Sequence, residues 1–291
     1  MTVKIAISSY SFLGYNGGPI EWGNAEMWQS PTVFEMIDHC VEHGVDGIEF
    51  LAEHLKGSGV DNPEGLAKLQ QYAAIRGIRP VTLAAPNNPL KTTPQERADD
   101  LALLVRYIDW AAQLGAPFVR ALGGRWGTIT DFRELTANRG EEPPVEGFTE
   151  EQGYEWTVTS LRYAAHYAAT KGVTLVLENH WGPTGTSAGA KKIHDGVDSP
   201  WLKYVLDTGN FFHLEDQYKE METFLDDLAM VHAKVYLGGS RVGVPDIDYD
   251  RVNELLQRID YTGYVSIEFE GNADPREGII DGIETIRRHL Q

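Results

Sequence analysis

Glu178, Asp207, His232 and Glu268 follow one another at separations of 29, 25 and 36 residues, and each stands in or at the end of a short apolar run: VTLVLE, YVLD, MVHAKV and VSIEFE. Three carboxylates and one imidazole make a hard, oxygen-rich donor set. It suits Mn²⁺, Mg²⁺ or Co²⁺, admits Zn²⁺, and disfavours copper for want of sulfur or several histidines. Brought together without a cation, the carboxylates would repel one another and at least one would have to hold a proton. Taken singly, Glu178 and Asp207 also read as caps of the segments that follow. One such residue per successive run is better explained by a single shared site.

Such a site needs elements that aim all four side chains at one place. The chain cycles through short apolar run, polar loop, amphipathic stretch and Gly, which is how a repeated βα unit is written in sequence. Eight runs stand out, at 4–9, 47–51, 81–85, 118–122, 173–178, 204–207, 230–235 and 265–270. Most are apolar through their middles, as parallel strands covered on both faces should be. Between them, helix starts are marked by a small polar residue, often followed by Pro, and helix ends by Gly. Ser30-Pro31 opens a stretch closing at Gly44, Asn62-Pro63 one closing at Gly77, and Thr93-Pro94 with Glu96 one closing at Gly115. Thr149 with Gln152 begins a helix ending at Gly172, and Asp274-Pro275 with Glu277 begins the last.

Eight βα units at about 36 residues each predict an α/β fold of one kind: a single (β/α)8 TIM barrel covering residues 1–291. The long Gly-, Pro- and Glu-rich stretch around 123–150 is expected to be an extended βα loop, and loops of that length in compact domains are usually functional. A doubly wound open sheet is the competing architecture. It calls for a Gly-rich phosphate turn after the first strand, where this chain reads YSFLGYNGG and does not match G-x-G-x-x-G. In a barrel the four residues lie at the C-terminal strand ends, where active sites form.

The motifs LVLENH (175–180), LDTGN (206–210), VHAKV (231–235), PDIDYDRV (245–252) and GYVSIEFEG (263–271) resemble those of the sugar phosphate isomerase/epimerase superfamily, whose barrel is xylose-isomerase-like. The likeness follows strand order over nearly the whole chain and is strongest from residue 173 onward. It implies that Glu178, Asp207, His232 and Glu268 bind one divalent ion, Mn²⁺ foremost, and that Glu178 and Glu268 flank the substrate carbons as acid and base. It also implies a mouth role for Glu49, which matches a glutamate common at that strand end, and it favours Glu268 over Glu270 as the ligand. Asn210 departs from the pattern, because ketose epimerases of this group often carry His three residues after the Asp. DNA-repair endonucleases sharing the barrel place many histidines at the strand ends, where this chain has His180 and His232.

Further residues fall near the same mouth. Lys234, two after His232 and so on the same strand face, either stabilises an oxyanion or pairs with a carboxylate. Arg120, inside the fourth run, either contacts substrate or neutralises a metal carboxylate, since an unpaired buried guanidinium is costly. His180 reads as a second catalytic base or as a loop histidine bonded to backbone. Asn210 is counted with the substrate-binding residues, as are Trp126 and Trp181, which with Trp22 and Trp28 stand in loops where an aromatic face could stack on a sugar. Arg241 in the seventh loop reads as a substrate contact or, preferably, as surface. Cys40 shares an outer helix with His39 and His43, so it pairs with no catalytic histidine.

Composition narrows the partners. Twenty-five Lys and Arg against 43 Asp and Glu leave a net charge of −18, which repels nucleic acid and anionic lipid. A single cysteine rules out a disulfide framework and fits a reducing, cytoplasmic setting. No apolar run approaches the ~20 residues of a spanning helix, and the N-terminus lacks a signal-peptide pattern. The partner expected is a small sugar or sugar derivative, with a homo-oligomer or partner subunit allowed. The expected activity is a divalent-metal-dependent isomerase or epimerase acting through an enediolate on a keto- or aldo-sugar. The alternatives are a lyase on an oxo-sugar, like the inosose dehydratases or enzymes cleaving 3-oxo-glycosides, and a non-catalytic sugar-binding barrel.

Overall fold

The computed structural model describes residues 2–17 and 29–291. Eight parallel strands close into a barrel in chain order: β1 (Lys4–Ser8), β2 (Gly47–Leu51), β3 (Arg79–Ala84), β4 (Phe118–Ala121), β5 (Thr174–Glu178), β6 (Leu202–Asp207), β7 (Leu228–Val235) and β8 (Tyr264–Phe269). The helices that cover it include α1 (Val33–Glu42), α2 (Ala52–Gly57), α3 (Pro63–Ile75), α4 (Pro94–Leu114), α5 (Phe132–Ala137), α6 (Glu150–Lys171), α7 (Ser187–Val197), α8 (Gln217–Met221), α9 (Tyr249–Gln257) and α10 (Pro275–Leu290). None is long and apolar enough to cross a membrane.

Helix boundaries follow their capping chemistry. Thr93 and Thr149 each accept from the backbone N–H three residues on, while Glu96 and Gln152 return a bond to the cap's own N–H. Gly115 and Gly172 end α4 and α6 in the left-handed region at φ 74° and 68°, which a side chain there would resist. α1 starts later than its Ser30-Pro31 signal suggests. Its cap is Thr32, boxed with Glu35, because the Ser30 hydroxyl is engaged elsewhere, donating to the Phe12 carbonyl. Between β4 and α6 the stretch 123–149 carries the short helix α5.

Period-two alternation sorts each strand into two faces. Outward residues such as Ile48, Phe50, Leu175, Leu177, Leu206, Val231 and Ile267 pack in the layer beneath the helices and are wholly buried, each worth ~1.5–3 kcal/mol. Inward, Ala6, Val81, Val176, Val205 and Met230 fill the barrel floor. The chemistry sits two residues above that floor: Glu178 above Val176, Asp207 above Val205, His232 above Met230. Gly47 begins β2 where a Cβ would lie 2.8 Å from the Arg79 carbonyl oxygen, so the barrel closes there only on glycine.

A buried relay ties the β1 end to the start of α2. The Leu51 N–H donates to Ser9 Oγ at 2.8 Å, Ser9 Oγ lies 3.0 Å from His54 Nδ1, and His54 Nε2 lies 3.1 Å from Ser30 Oγ. These partners assign a neutral imidazole, accepting at Nδ1 and donating at Nε2. Burial lowers the His54 pKa from 6.5 to about 4. An unfolded histidine takes up its proton near 6.5 while the native one resists until about 4, so His54 contributes stability above pH 6.5 that is lost as pH falls towards 4, up to ~3 kcal/mol. Urea titrations across that window should show a shallower acid slope for His54→Gln than for wild type. Parallel slopes would remove His54 from the account.

Candidate active site

The C-terminal ends of β5, β6, β7 and β8 bring Glu178, Asp207, His232 and Glu268 together. One ligand atom from each lies within 4.8 Å of the other three, and all four residues are buried. Asp207 pairs in register with His232 across β6 and β7, and Lys234 with Glu268 across β7 and β8. His232 Nδ1 is 3.4 Å from Glu178 Oε1 and 3.7 Å from Glu268 Oε1. Asp207 Oδ1 accepts from the Gly209 and Asn210 N–H groups at 2.8 and 3.1 Å. Its Oδ2 is buried and, among the described residues, has no hydrogen-bond partner.

Two cations balance part of this charge. Arg120 Nε lies 3.3 Å from Glu178 Oε2, and Lys234 Nζ lies 2.8, 3.5 and 3.8 Å from Glu268, Asp207 and Glu270 oxygens. Burial alone would push the Glu178 carboxyl up, but the Arg120 guanidinium and His232 override it and hold it well below the usual carboxylate range. Glu268 is likewise lowered against its burial, by Lys234 and His232. Asp207 goes the other way, raised to about 8 by desolvation, with the Glu268 and Glu178 charges adding to the rise. It is the carboxyl that holds a proton when no cation is bound. The three carboxylates and the single imidazole fit a divalent ion of the Mg²⁺, Mn²⁺ or Co²⁺ kind.

Glu49 stands behind the cluster. It is fully buried, accepts from Ser266 Oγ at 2.9 Å, and has Oε2 3.0 Å from His232 Nε2. It is not among the residues lining the chamber above the cluster, and its carboxylate meets His232 instead. A carboxylate on the far nitrogen fixes the imidazole's tautomer and rotation. Glu49→Gln should therefore weaken metal affinity by ~10–100-fold with little change in melting temperature of the metal-free protein. Isothermal titration with Mn²⁺ checks this, and unchanged affinity would count against it.

Above the cluster lies a chamber of about 200 Å³. Its walls include Arg120, Glu178, His180, Trp181, Asn210, Lys234 and Glu268. The His180 and Trp181 rings are 5.7 Å apart, and burial lowers the His180 pKa, so its ring is neutral at pH 7. Asn210 donates through Nδ2 to the Asn179 carbonyl at 2.9 Å. Trp126 is not part of this wall. It packs edge-on to Trp156 at 5.9 Å and lines a different groove with Arg139 and Tyr154. Trp22 and Trp28 lie outside the described residues.

Several wall residues were not singled out from the sequence. Tyr10 lines the chamber and donates to Glu270 Oε1 at 2.6 Å, with Lys234 Nζ 4.9 Å from its ring centre. Tyr10 directly follows the first apolar run, the position rule that located the carboxylates. Phe212, Tyr236, Val242 and Val244 line it too, with no chemical signature to mark them. Arg241, read as surface, is half-buried, its guanidinium 5.5 Å from the Phe269 ring centre.

The chain belongs to the xylose isomerase-like TIM barrel family, whose model matches residues 37–289. It is 27% identical over 190 residues to the 2-epi-5-epi-valiolone 7-phosphate 2-epimerase of an Actinoplanes species, an alignment covering 65% of this chain. The chain thus spans 62% of that relative's length. It is 23% identical to an inosose dehydratase of Clostridium perfringens over 92% of this chain and 95% of that one. The solved structure of a D-psicose 3-epimerase in the presence of D-fructose superposes with a TM-score of 0.74 over 99% of both chains at 20% identity. That last likeness concerns the fold alone.

Proposed function

We propose that this member of the family is a divalent-metal-dependent sugar isomerase or epimerase working on a keto- or aldo-sugar through an enediolate. The observation carrying the reading is the convergence of Glu178, Asp207, His232 and Glu268 beneath the chamber. About 200 Å³ is below the range of drug-sized sites and suits one monosaccharide. Similarity to the 2-epi-5-epi-valiolone 7-phosphate 2-epimerase supports the same class.

A divalent ion held by these four residues would supply Lewis-acid polarisation of a substrate carbonyl and so acidify the neighbouring C–H. Glu178, kept ionised by Arg120, is placed to take that proton. Glu268, 2.8 Å from the Lys234 ammonium, returns one: to the same carbon for epimerisation, or to its neighbour for isomerisation. Lys234 balances negative charge building on the substrate oxygens. His180, as a neutral imidazole, can hydrogen-bond a sugar hydroxyl in either direction. Trp181 offers an apolar face to the ring, and Glu49 keeps His232 turned towards the cluster.

Elimination from the same enediolate is a second reading, favoured by the near full-length similarity to an inosose dehydratase. Product analysis separates the two. Incubation of the Mn²⁺-loaded protein with a panel of ketoses and oxo-sugars should give products of unchanged mass. Loss of water or of an aglycone would replace isomerisation with lyase chemistry. Binding without turnover across the panel would leave a sugar-binding barrel.

A further inference from the structure

On the outside of the barrel, α1 carries a second group of metal-ligating side chains. One ligand atom from each of His39, Glu42 and His43 lies within 4.8 Å of the other two. Spacings of three and four residues put Glu42 and His43 on the same helix flank as His39. The histidine rings are 4.4 Å apart. His39 is nine-tenths buried, set edge-on against Phe12 at 5.3 Å and Tyr15 at 5.8 Å. Its Nδ1 lies 3.4 Å from the Tyr15 hydroxyl, and its Nε2 has no hydrogen-bond partner among the described residues.

A buried ring nitrogen left without a partner is costly, and packing alone does not explain it. The arrangement is that of a metal-bound histidine: one nitrogen directed to a fixed polar neighbour, the other free to ligate. The surroundings favour a cation. Glu35 and Glu42 border the adjoining cavity of about 240 Å³, where Asp38 is already paired with Arg76 at 2.6 Å and Arg276 stacks on Tyr15, and the group stands at the C-terminal end of α1, the negative pole of the helix. Arg287 is near but committed, donating to the His43 and Gly44 carbonyls at 2.8 and 3.0 Å. Burial keeps the His39 ring neutral at pH 7, its pKa lowered to about 4.

We propose that His39, Glu42 and His43 bind one transition-metal ion of the Zn²⁺ class, with water completing its coordination. Two imidazoles and one carboxylate suit Zn²⁺, Ni²⁺ or Cu²⁺, whereas Mg²⁺ and Mn²⁺ prefer the oxygen-rich mouth. The ion pins the last turn of α1 and stabilises the native state by mass action. Its ligands lie on an outer helix and take no part in turnover.

The test is zinc stoichiometry, by elemental analysis after dialysis at micromolar Zn²⁺, in wild type, His43→Ala, Glu42→Gln and His232→Ala. His43 is half-buried and packs no core, so His43→Ala should fold, and its metal-free melting curve checks that. His43→Gln serves as a second variant if it does not. Wild type should bind two equivalents, His43→Ala and His232→Ala one each, and Glu42→Gln should bind the outer ion more weakly. Zn²⁺ added to Mn²⁺-loaded protein should raise the melting temperature of wild type but not of His43→Ala. One equivalent in wild type, lost in His43→Ala and kept in His232→Ala, would uphold this site while overturning the mouth site of the proposed function. Wild-type stoichiometry and melting response in His43→Ala and Glu42→Gln would overturn the inference.

Discussion

Glu178→Gln is expected to lower turnover by ~10²–10⁴-fold, the usual contribution of a positioned proton-transfer group. The carboxamide keeps the shape of the side chain and its place beside Arg120, but it cannot accept a proton. The fold should persist, since Leu175, Val176 and Leu177 stay buried as before. The informative quantity is kcat of the Mn²⁺-saturated variant beside its melting temperature. A kcat within a few-fold of wild type would remove Glu178 from proton transfer. An unfolded variant would be replaced by Glu178→Asp, which shortens the reach while keeping the charge and should recover part of the rate.

His232→Ala should abolish tight metal binding and, with it, activity, because it deletes the single imidazole of the cluster and opens one coordination position. A chelator should do the same to wild type, and Mn²⁺, Co²⁺ or Mg²⁺ should restore it. The barrel survives in both cases, since eight strands and their covering helices bury enough apolar surface without an ion. Wild type should lose only the mass-action stabilisation of a ligand bound to the native state. Affinity should rise with pH, because a bound ion needs Asp207 and His232 deprotonated; burial among carboxylates raises the first to about 8, and, against its burial, the Glu49 and Glu268 charges raise the second well above its ordinary value. Full activity and one tightly bound equivalent in His232→Ala, measured with the outer helix site disabled, would mean that the cluster is not the metal site.

What the sequence disclosed, and what it hid, follows from the range of the forces involved. Thr93, Thr149, Gly115 and Gly172 mark helix ends through bonds to residues a few positions away, so their signals are local and hold. Glu178, Asp207, His232 and Glu268 were legible because a strand's alternation and a barrel's closure turn sequence position into direction. Thr32 displaced Ser30 as the cap of α1 because the Ser30 hydroxyl reaches the Phe12 carbonyl and His54, contacts between distant segments. Glu49 meets Ser266 and His232, again contacts between distant segments. Trp126 was drawn away from the mouth by Trp156 on α6. Tyr10, Phe212 and Tyr236 reach the chamber from three different loops or strand ends, and no one-dimensional pattern joins them.

The central claim is that metal held at the barrel mouth serves proton transfer at a carbon beside a carbonyl. Its most direct test is deuterium incorporation from D₂O into a panel of keto-sugars, followed by NMR with the metal-loaded protein, with chelator, and after Mn²⁺ is returned. The account predicts exchange confined to a carbon adjoining the carbonyl of at least one sugar, silenced by the chelator, restored by Mn²⁺, and absent in Glu178→Gln. Exchange that continues at the same rate after the metal is stripped, or in Glu178→Gln, would contradict it, as would conversion of a sugar without any uptake of deuterium.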